Sequence, residues 1–215
     1  MDQSESAHDW RRNNRGTSMW EDRYRGSDEY LFGTAPARFL VENPWALIPG
    51  ATALAVSDGE GRNGVHLAAA GMHVTSFDLS STAVSRARAL AAGRGVALDA
   101  RVSDWKAWEW ERPYDLVMGI FIQFMPPELR PGQFADLART LKPGGRLVLH
   151  GYTPEQVALG TGGPPDPAQM WTPEILRAAF PGWRIERLAT YERDVQEGRG
   201  HSGRSALIDF VARKP

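Results

Sequence analysis

The chain reads as an α/β protein with a doubly wound, mainly parallel sheet, and three observations predict it. Strand-like apolar runs recur along the sequence with helical periodicity between them, the alternation that builds a parallel sheet with helices on both faces. The first such run, residues 51–56 (ATALAV), is apolar throughout, as suits a strand buried on both faces. It enters the turn Ser57-Asp58-Gly59-Glu60-Gly61, and a second run over residues 72–77 ends at Asp78. Residues 51–80 therefore have the form of a βαβ nucleotide-binding unit.

The elements follow in order. Residues 1–17 (MDQSESAHDWRRNNRGT) are polar and mixed in charge, too poor in apolar surface to offset their ordering entropy, so a mobile tail is expected. One domain is expected over residues 18–215, led by a helical cap over about residues 18–48. Ser18 suits an N-cap with acids following it, and Trp20 and Tyr24 share a helix face four residues apart. Thr34-Ala35-Pro36 opens a second short helix running through Val41, with Pro36 tolerated in its first turn. Asn43-Pro44 and Pro49-Gly50 then break the pattern before the first strand.

Beyond Asp78, Ser80 caps a helix with Val84, Ala87 and Ala91 on one face, and residues 96–102 resume a strand pattern. Residues 114–121 form a fourth strand. Phe134, Leu137, Ala138 and Leu141 mark a helix face that Lys142-Pro143-Gly144-Gly145 ends. Residues 146–151 are the fifth strand, and the proline- and glycine-rich segment 153–170 predicts a long irregular loop. Thr172-Pro173-Glu174 opens another helix, and residues 183–195 and 205–212 read as two closing strands joined through residues 196–204. The whole predicts a seven-stranded Rossmann-like sheet with an antiparallel edge strand and short N-terminal helices.

Composition narrows the function. A net charge of -1, from 25 basic and 26 acidic residues, supplies no field to draw the chain onto nucleic acid or anionic lipid. Neither nucleic acid nor membrane is an expected partner. The chain has no cysteine, which removes disulfides, thiolate metal sites and a cysteine nucleophile; no metal site is suggested. No run approaches the ~20 apolar residues of a membrane helix, and the first residues lack a secretory core, so a cytoplasmic location is expected.

In such a sheet, ligands bind beyond the carboxyl ends of the strands, where strand order reverses. Gly59 and Gly61 permit a tight turn and close approach, and the amides opening the next helix near Asn63 can receive an anionic group. Asp78, nineteen positions after Gly59, is placed to accept hydrogen bonds from ribose hydroxyls, which points to an adenosine-type cofactor; alternatively it caps the next helix with Ser80. Gly59, Gly61 and Gly64 match the bare G-x-G-x-x-G spacing, a weak signal alone.

Further pieces carry a resemblance: Trp20-Glu21-Asp22-Arg23-Tyr24, Phe32-Gly33-Thr34-Ala35-Pro36, residues 58–63 (DGEGRN), Ser103-Asp104-Trp105, residues 114–117 (YDLV), residues 141–145 (LKPGG) and His201-Ser202-Gly203-Arg204. Over about residues 18–213 the chain resembles a class I S-adenosylmethionine-dependent methyltransferase, and within that group the tellurite-resistance and thiopurine S-methyltransferase-like branch. The resemblance implies S-adenosylmethionine as cofactor, with Gly59 and Gly61 against its methionine part, Asp78 on ribose, and Asp104 with Trp105 flanking adenine. It extends the cofactor-binding set to Trp20, Tyr24, Ser57, Asp58, Glu60, Arg62, Asn63, Leu79, Ser80, Ser103, Gly119 and Ile120. The family's first motif, acidic-x-Gly-x-Gly-x-Gly, is altered here by Ala55 and Ser57, and Asp58 is a candidate for the missing negative charge near the cofactor's ammonium group.

Methyl transfer from a sulfonium needs positioning and water exclusion more than acid-base chemistry, so a soft nucleophile such as a thiol or a selenium or tellurium oxyanion is the expected small-molecule acceptor. His201 and Arg204, read as lying in a polar, glycine-rich loop with Arg199, are the catalytic candidates: histidine to relay a proton, arginine to orient an anion. His8, His66, His73 and His150 read as packing or surface residues. Phe121 and Phe124, with Met125, suggest an apolar substrate wall, and Gln123 a polar contact. Tyr30 and Phe32, with Trp20 and Tyr24, form either an aromatic lid or ordinary helix faces, and residues 161–167 (TGGPPDP) either a second lid or a linker. A nicotinamide-dependent oxidoreductase and a non-catalytic cofactor-binding module are the competing readings, and oligomeric state is left open.

Overall fold

The computed structural model describes residues 15–215. The expected tail lies outside the described residues except for residues 15–17, which belong to the first helix, α1 (Arg15–Arg25); Ser18 is thus inside that helix and not its cap. After α2 (Arg38–Glu42) and a 3-10 turn (Pro44–Ala46) come β1 (Thr52–Val56), α3 (Arg62–Ala69), β2 (His73–Asp78), α4 (Ser81–Gly93), β3 (Leu98–Val102) and β4 (Tyr114–Ile120). The chain continues through α5 (Arg130–Arg139), β5 (Leu141–Tyr152), the short α6 (Gln156–Leu159), a 3-10 turn (Pro167–Gln169), α7 (Pro173–Ala179), β6 (Arg184–Glu197) and β7 (His201–Arg213). No helix among the described residues is long and apolar enough to cross a membrane.

The seven strands form one sheet in the order β3-β2-β1-β4-β5-β7-β6. The first five are parallel, and β7 runs antiparallel to both β5 and β6. Strand order reverses between β1 and β4, which opens the ligand crevice at their carboxyl ends. Because side chains alternate along a strand, β1 feeds two cores. Leu54 and Val56 join Val117, Leu149, Phe210 and Trp171 on the face covered by α5 and α7. Ala53 and Ala55 join Leu116, Val148, Phe39 and Leu67 on the face covered by α2 and α3.

Several boundaries differ from the sequence expectation, each for a tertiary reason. Helix α2 starts at Arg38, since Ala37 is extended (ψ 132) and gives its N–H to Asn63, leaving Pro36 outside the helix. Leu141 leaves the helix face and opens β5 opposite Tyr114. The segment 153–170 is not wholly irregular: it holds α6, whose Gln156 side chain bonds Thr161 and the Ala206 amide. The β6/β7 hairpin pairs as far as Glu197 and His201, so the expected connection over 196–204 shrinks to residues 198–200. That places His201 and Arg204 in a strand.

Helix α1 is anchored through Glu21. Its carboxylate accepts the Ser80 hydroxyl at 2.5 Å, the Thr82 hydroxyl at 2.6 Å and the Thr82 amide at 3.3 Å, an anion at the N-terminus of α4. The Ser80 bond leads the effects that hold its pKa at about 2, against 4.5 for a free glutamate. Because the folded value is the lower one, this stabilisation is present above pH 4.5 and is lost as pH falls toward 2. Glu21→Gln should raise amide exchange in α1 roughly fivefold at neutral pH, as losing a helix-end anchor implies, with sheet protection unchanged by hydrogen-exchange mass spectrometry.

Candidate functional site

The glycine turn leaves β1 through Ser57 at φ 49, and Gly59 (φ 57) and Gly61 (φ 82) follow in the same left-handed region. Ser57 is strained there, and it occupies the position where the resembled motif has glycine. A Cβ on Gly61 would stand 2.6 Å from that of Ala87, so the missing side chain lets α3 and α4 close together. One on Gly59 would stand 2.6 Å from the Tyr24 hydroxyl, so α1 lies directly over the turn.

Asp78 ends β2 and ties this turn down. Its Oδ2 accepts the Gly59 amide at 2.9 Å and its Oδ1 the Ser80 amide at 3.0 Å. Ser80 caps α4 by accepting from the Ala83 amide, so the capping role belongs to Ser80 and the bridging role to Asp78. Burial raises the Asp78 pKa against the pull of those amides. Asp58 turns its Oδ2 to the Gly64 amide at 3.0 Å, capping α3, and burial pushes its pKa up to about 7 with Asp78 adding repulsion. Tyr24 is raised well above its usual value by burial and by Asp78. A cation bound at this turn would offset the burial that raises both carboxyl pKa values and would favour their ionised forms, and an ammonium-bearing sulfonium is such a cation.

Other expected cofactor contacts work as struts. Glu60 accepts the Leu31 amide and Arg86 guanidinium, both at 2.7 Å. Arg62 pairs with Glu197 at 2.6 Å, and Asn63 accepts the Ala37 amide at 2.8 Å. Ser103 gives its amide to the Asp78 carbonyl, bringing the tip of β3 to that of β2. Asp104 caps the Ala107 amide at 2.8 Å, and Trp105 donates to Asp136 while its ring meets Trp110 at 4.5 Å and Phe124 at 5.9 Å. Leu79 follows Asp78, and Gly119 and Ile120 end β4 beside the crevice.

The expected substrate residues separate into two groups. Phe32 and Phe121 converge on His201, with ring centroids at 4.5 and 4.3 Å, and Tyr152 completes the enclosure 4.7 Å from Phe121. Trp20 borders it, 6.4 Å from Phe32. Phe121 holds φ 56, strain of the kind that collects at functional sites. Tyr30 is elsewhere: its hydroxyl bonds the Arg86 carbonyl and its ring packs with Val65 and Leu90. Gln123 makes no free polar contact, because both ends of its buried amide grip the Tyr152 backbone at 2.6 and 2.7 Å.

Arg204 also departs from expectation. It is exposed and paired with Glu192 at 3.1 Å, since strand alternation sends it and His201 to opposite faces. His201 is buried and stands 3.8 Å from Glu197; burial lowers its pKa, with Glu197 opposing. Glu197 is pushed up by burial, but His201 and Arg62 outweigh this and hold it at about 2. Tyr152, Glu197, and the pair His150–Asp209 at 2.7 Å were missed in the sequence. Only the position of Tyr152 just after the strand expected over residues 146–151 signalled any of them. An open groove at the amino ends of the strands, lined by Thr52, His73, Arg88 and Tyr114, contains none of these residues.

With this geometry in place, the comparisons show what the chain is similar to. Residues 53–145 match the model of the methyltransferase domain family, a span from β1 to the start of β5 that holds the glycine turn and Asp78. Uncharacterized proteins of Mycobacterium tuberculosis and Mycobacterium bovis are 34% identical over 104 residues, covering 47% of this chain. The chain spans little more than a third of those relatives' length, 37% in the aligned part.

Among solved structures, one concerning conversion of a disulfide bond into a thioacetal group during echinomycin biosynthesis is similar at TM-score 0.75 and 25% identity, over 92% of this chain and 91% of that one. TehB from Haemophilus influenzae is similar in fold at TM-score 0.70 and 17% identity, over 91% and 67% of the two chains. Magnesium protoporphyrin IX methyltransferase from Synechocystis with bound S-adenosylhomocysteine follows at 0.62 and 20%, over 83% and 79%. Residues 53–145 thus match a methyltransferase domain, and the fold around them is shared with solved methyltransferases, among them one with S-adenosylhomocysteine bound.

Ser57→Gly should raise stability by about 0.5–1 kcal/mol by relieving the left-handed strain. Gly61→Ala should lower it by roughly 1–3 kcal/mol, because strain and the Ala87 contact act together. Urea unfolding of both variants measures the two signs.

Proposed function

We propose that the chain transfers a methyl group from S-adenosylmethionine to a small, uncharged soft nucleophile, foremost a thiol. The carrying observation is the enclosure at the tip of β4, formed by Phe32, Phe121, Tyr152 and His201. Its walls are aromatic, and the cations around it are already paired: Arg62 of α3 with Glu197, and in the hairpin Arg199 with Ser27 and Glu29 and Arg204 with Glu192. A selenium or tellurium oxyanion would lack the forked arginine contact that such anions favour, whereas a thiol needs apolar surroundings and exclusion of water. This favours a thiol over the oxyanions, the two acceptor classes that the mechanics of methyl transfer from a sulfonium admit. The disulfide-to-thioacetal conversion studied with the similar structure is also sulfur chemistry.

When bound, S-adenosylmethionine supplies an electrophilic methyl carbon on a sulfonium leaving group. The chain's own residues supply binding and orientation. The turn at Gly59 and Gly61, with Asp58 and Asp78 behind it, receives the cationic end of the cofactor. Asp78 retains acceptor lone pairs for ribose beyond those taken by the two amides. Trp20 and Tyr24 close α1 over the turn, and Phe32 and Phe121 hold the acceptor near the reacting carbon and keep water out. The match to a methyltransferase domain across the glycine turn leaves the nicotinamide reading without support.

Calorimetry with S-adenosylhomocysteine and NAD tests the cofactor; binding of NAD alone would overturn the reading. A methyl-acceptor screen over thiols, selenite and tellurite tests the acceptor, with thiols expected to exceed both oxyanions. S-adenosylmethionine affinity should rise as Asp58 ionises through about pH 7 and then level off. The stability contribution of Asp58 has the opposite sign: its folded pKa lies above 3.8, so that contribution declines as pH rises to about 7. Asp58→Asn should flatten the pH dependence of binding.

A further inference from the structure

We propose that His150, oriented by Asp209, accepts the proton of the acceptor's thiol; the step rests on the methyl-transfer reading above. Parallel pairing sets His150 opposite Ile120 at the end of β4, and the Phe121 amide donates to the His150 carbonyl at 2.7 Å. Antiparallel pairing sets Asp209 of β7 directly across from His150, with Nδ1 and Oδ1 2.7 Å apart. His150 therefore lies in the strand beside the β4 tip where the acceptor is expected, and its ring meets Phe121 just past that tip.

Asp209 is held as firmly as a buried carboxylate can be. Arg187 reaches Oδ2 through Nε at 2.8 Å and through Nη2 at 2.7 Å, and the Tyr191 hydroxyl donates to Oδ1 at 3.0 Å. Burial pushes the Asp209 pKa up, but the bonds from His150 and Arg187 outweigh it and hold it below the usual range. An ionised acceptor on Nδ1 fixes the neutral ring as its Nδ1–H tautomer, which leaves the Nε2 lone pair as the basic site. Among the described residues, the bond to Asp209 is the hydrogen bond of this ring.

The ring is fixed in orientation. It stacks on Phe39 at 5.1 Å with planes 5° apart, and meets Phe121 edge to face at 5.0 Å. Phe121 also packs against His201 and Tyr152, so His150 shares an aromatic wall with the proposed acceptor enclosure. The charged and titratable groups facing His150 are Asp209 and His201 from β7 and Arg187 and Tyr191 from β6, while α2 contributes only the Phe39 ring. His201 is less suited as the base. Its nearest carboxylate, Glu197, is 3.8 Å away and is itself paired with Arg62.

In the step, the S–H bond breaks, its electron pair stays on sulfur, and its proton passes to Nε2. The resulting imidazolium is stabilised by Asp209 and returns the proton to water after product leaves. A thiol is mostly protonated at neutral pH, so the transfer raises the concentration of the reactive thiolate.

Two thiols of different acidity test this in the full-length protein. His150→Gln should lower kcat/KM for benzyl mercaptan by ~100-fold, the range of general-base assistance, and for 4-nitrothiophenol, already a thiolate, by less than about threefold. Asp209→Asn should show the same selectivity. Independently of activity, nitrogen-15 NMR of the cofactor-free wild type should show His150 as the Nδ1–H tautomer, and this measurement decides even if a variant fails to fold. Equal losses with both thiols, no loss with either, or an Nε2–H tautomer in the wild type would overturn the assignment. A wild type inert toward both thiols also overturns it, and binding of S-adenosylhomocysteine then shows whether the methyl-transfer reading survives separately.

Discussion

The carboxylate of Asp78 bridges the Gly59 and Ser80 amides, and the rest of the site depends on that bridge. It joins the turn after β1 to the start of α4 at the point where strand order reverses. Ser80, placed by it, caps α4 and donates to Glu21, so α1 and its aromatic side chains hang from the same chain of bonds. A buried carboxylate is costly unless hydrogen-bonded, and here the compensating bonds are those that shape the turn.

A second set of polar contacts closes the other side. Glu60 within the glycine turn and Arg62 and Asn63 just after it send their side chains away to Leu31, Glu197 and Ala37. The Leu31 carbonyl in turn accepts the amides of Arg199 and Gly200 at the tip of the β6/β7 hairpin. The cap residues, the turn and the hairpin are thereby drawn around Phe32 and His201. The Arg62–Glu197 pair is largely buried, so removing either partner would leave an uncompensated charge between the glycine turn and the aromatic enclosure.

Legibility in the sequence followed the range of the interaction. The glycine turn, Asp78 and Ser80 were readable because they are consecutive pieces of a βαβ unit, with a spacing set by one helix and two strands. Phe32, Phe121 and His201 were found as individual residues, but their convergence was not visible, since it depends on contacts between residues far apart in the chain, Phe121 with His201 and Phe32 with His201. Gln123 and Arg204 misled for the same reason: a glutamine at a strand tip and an arginine near a histidine look functional until the Tyr152 backbone and Glu192 claim them.

Sequence by itself determined the order of strands and helices, the glycine turn at the end of β1 and the acid at the end of β2, because these rest on local periodicity and short spacing. The tertiary structure decided which polar side chains face a ligand and which brace the frame. It also decided that His150, which reads in sequence as an ordinary strand residue, faces a buried carboxylate. That pairing is set by strand register: β7 returns antiparallel beside β5 and brings Asp209 opposite His150, a juxtaposition that no spacing along the chain encodes.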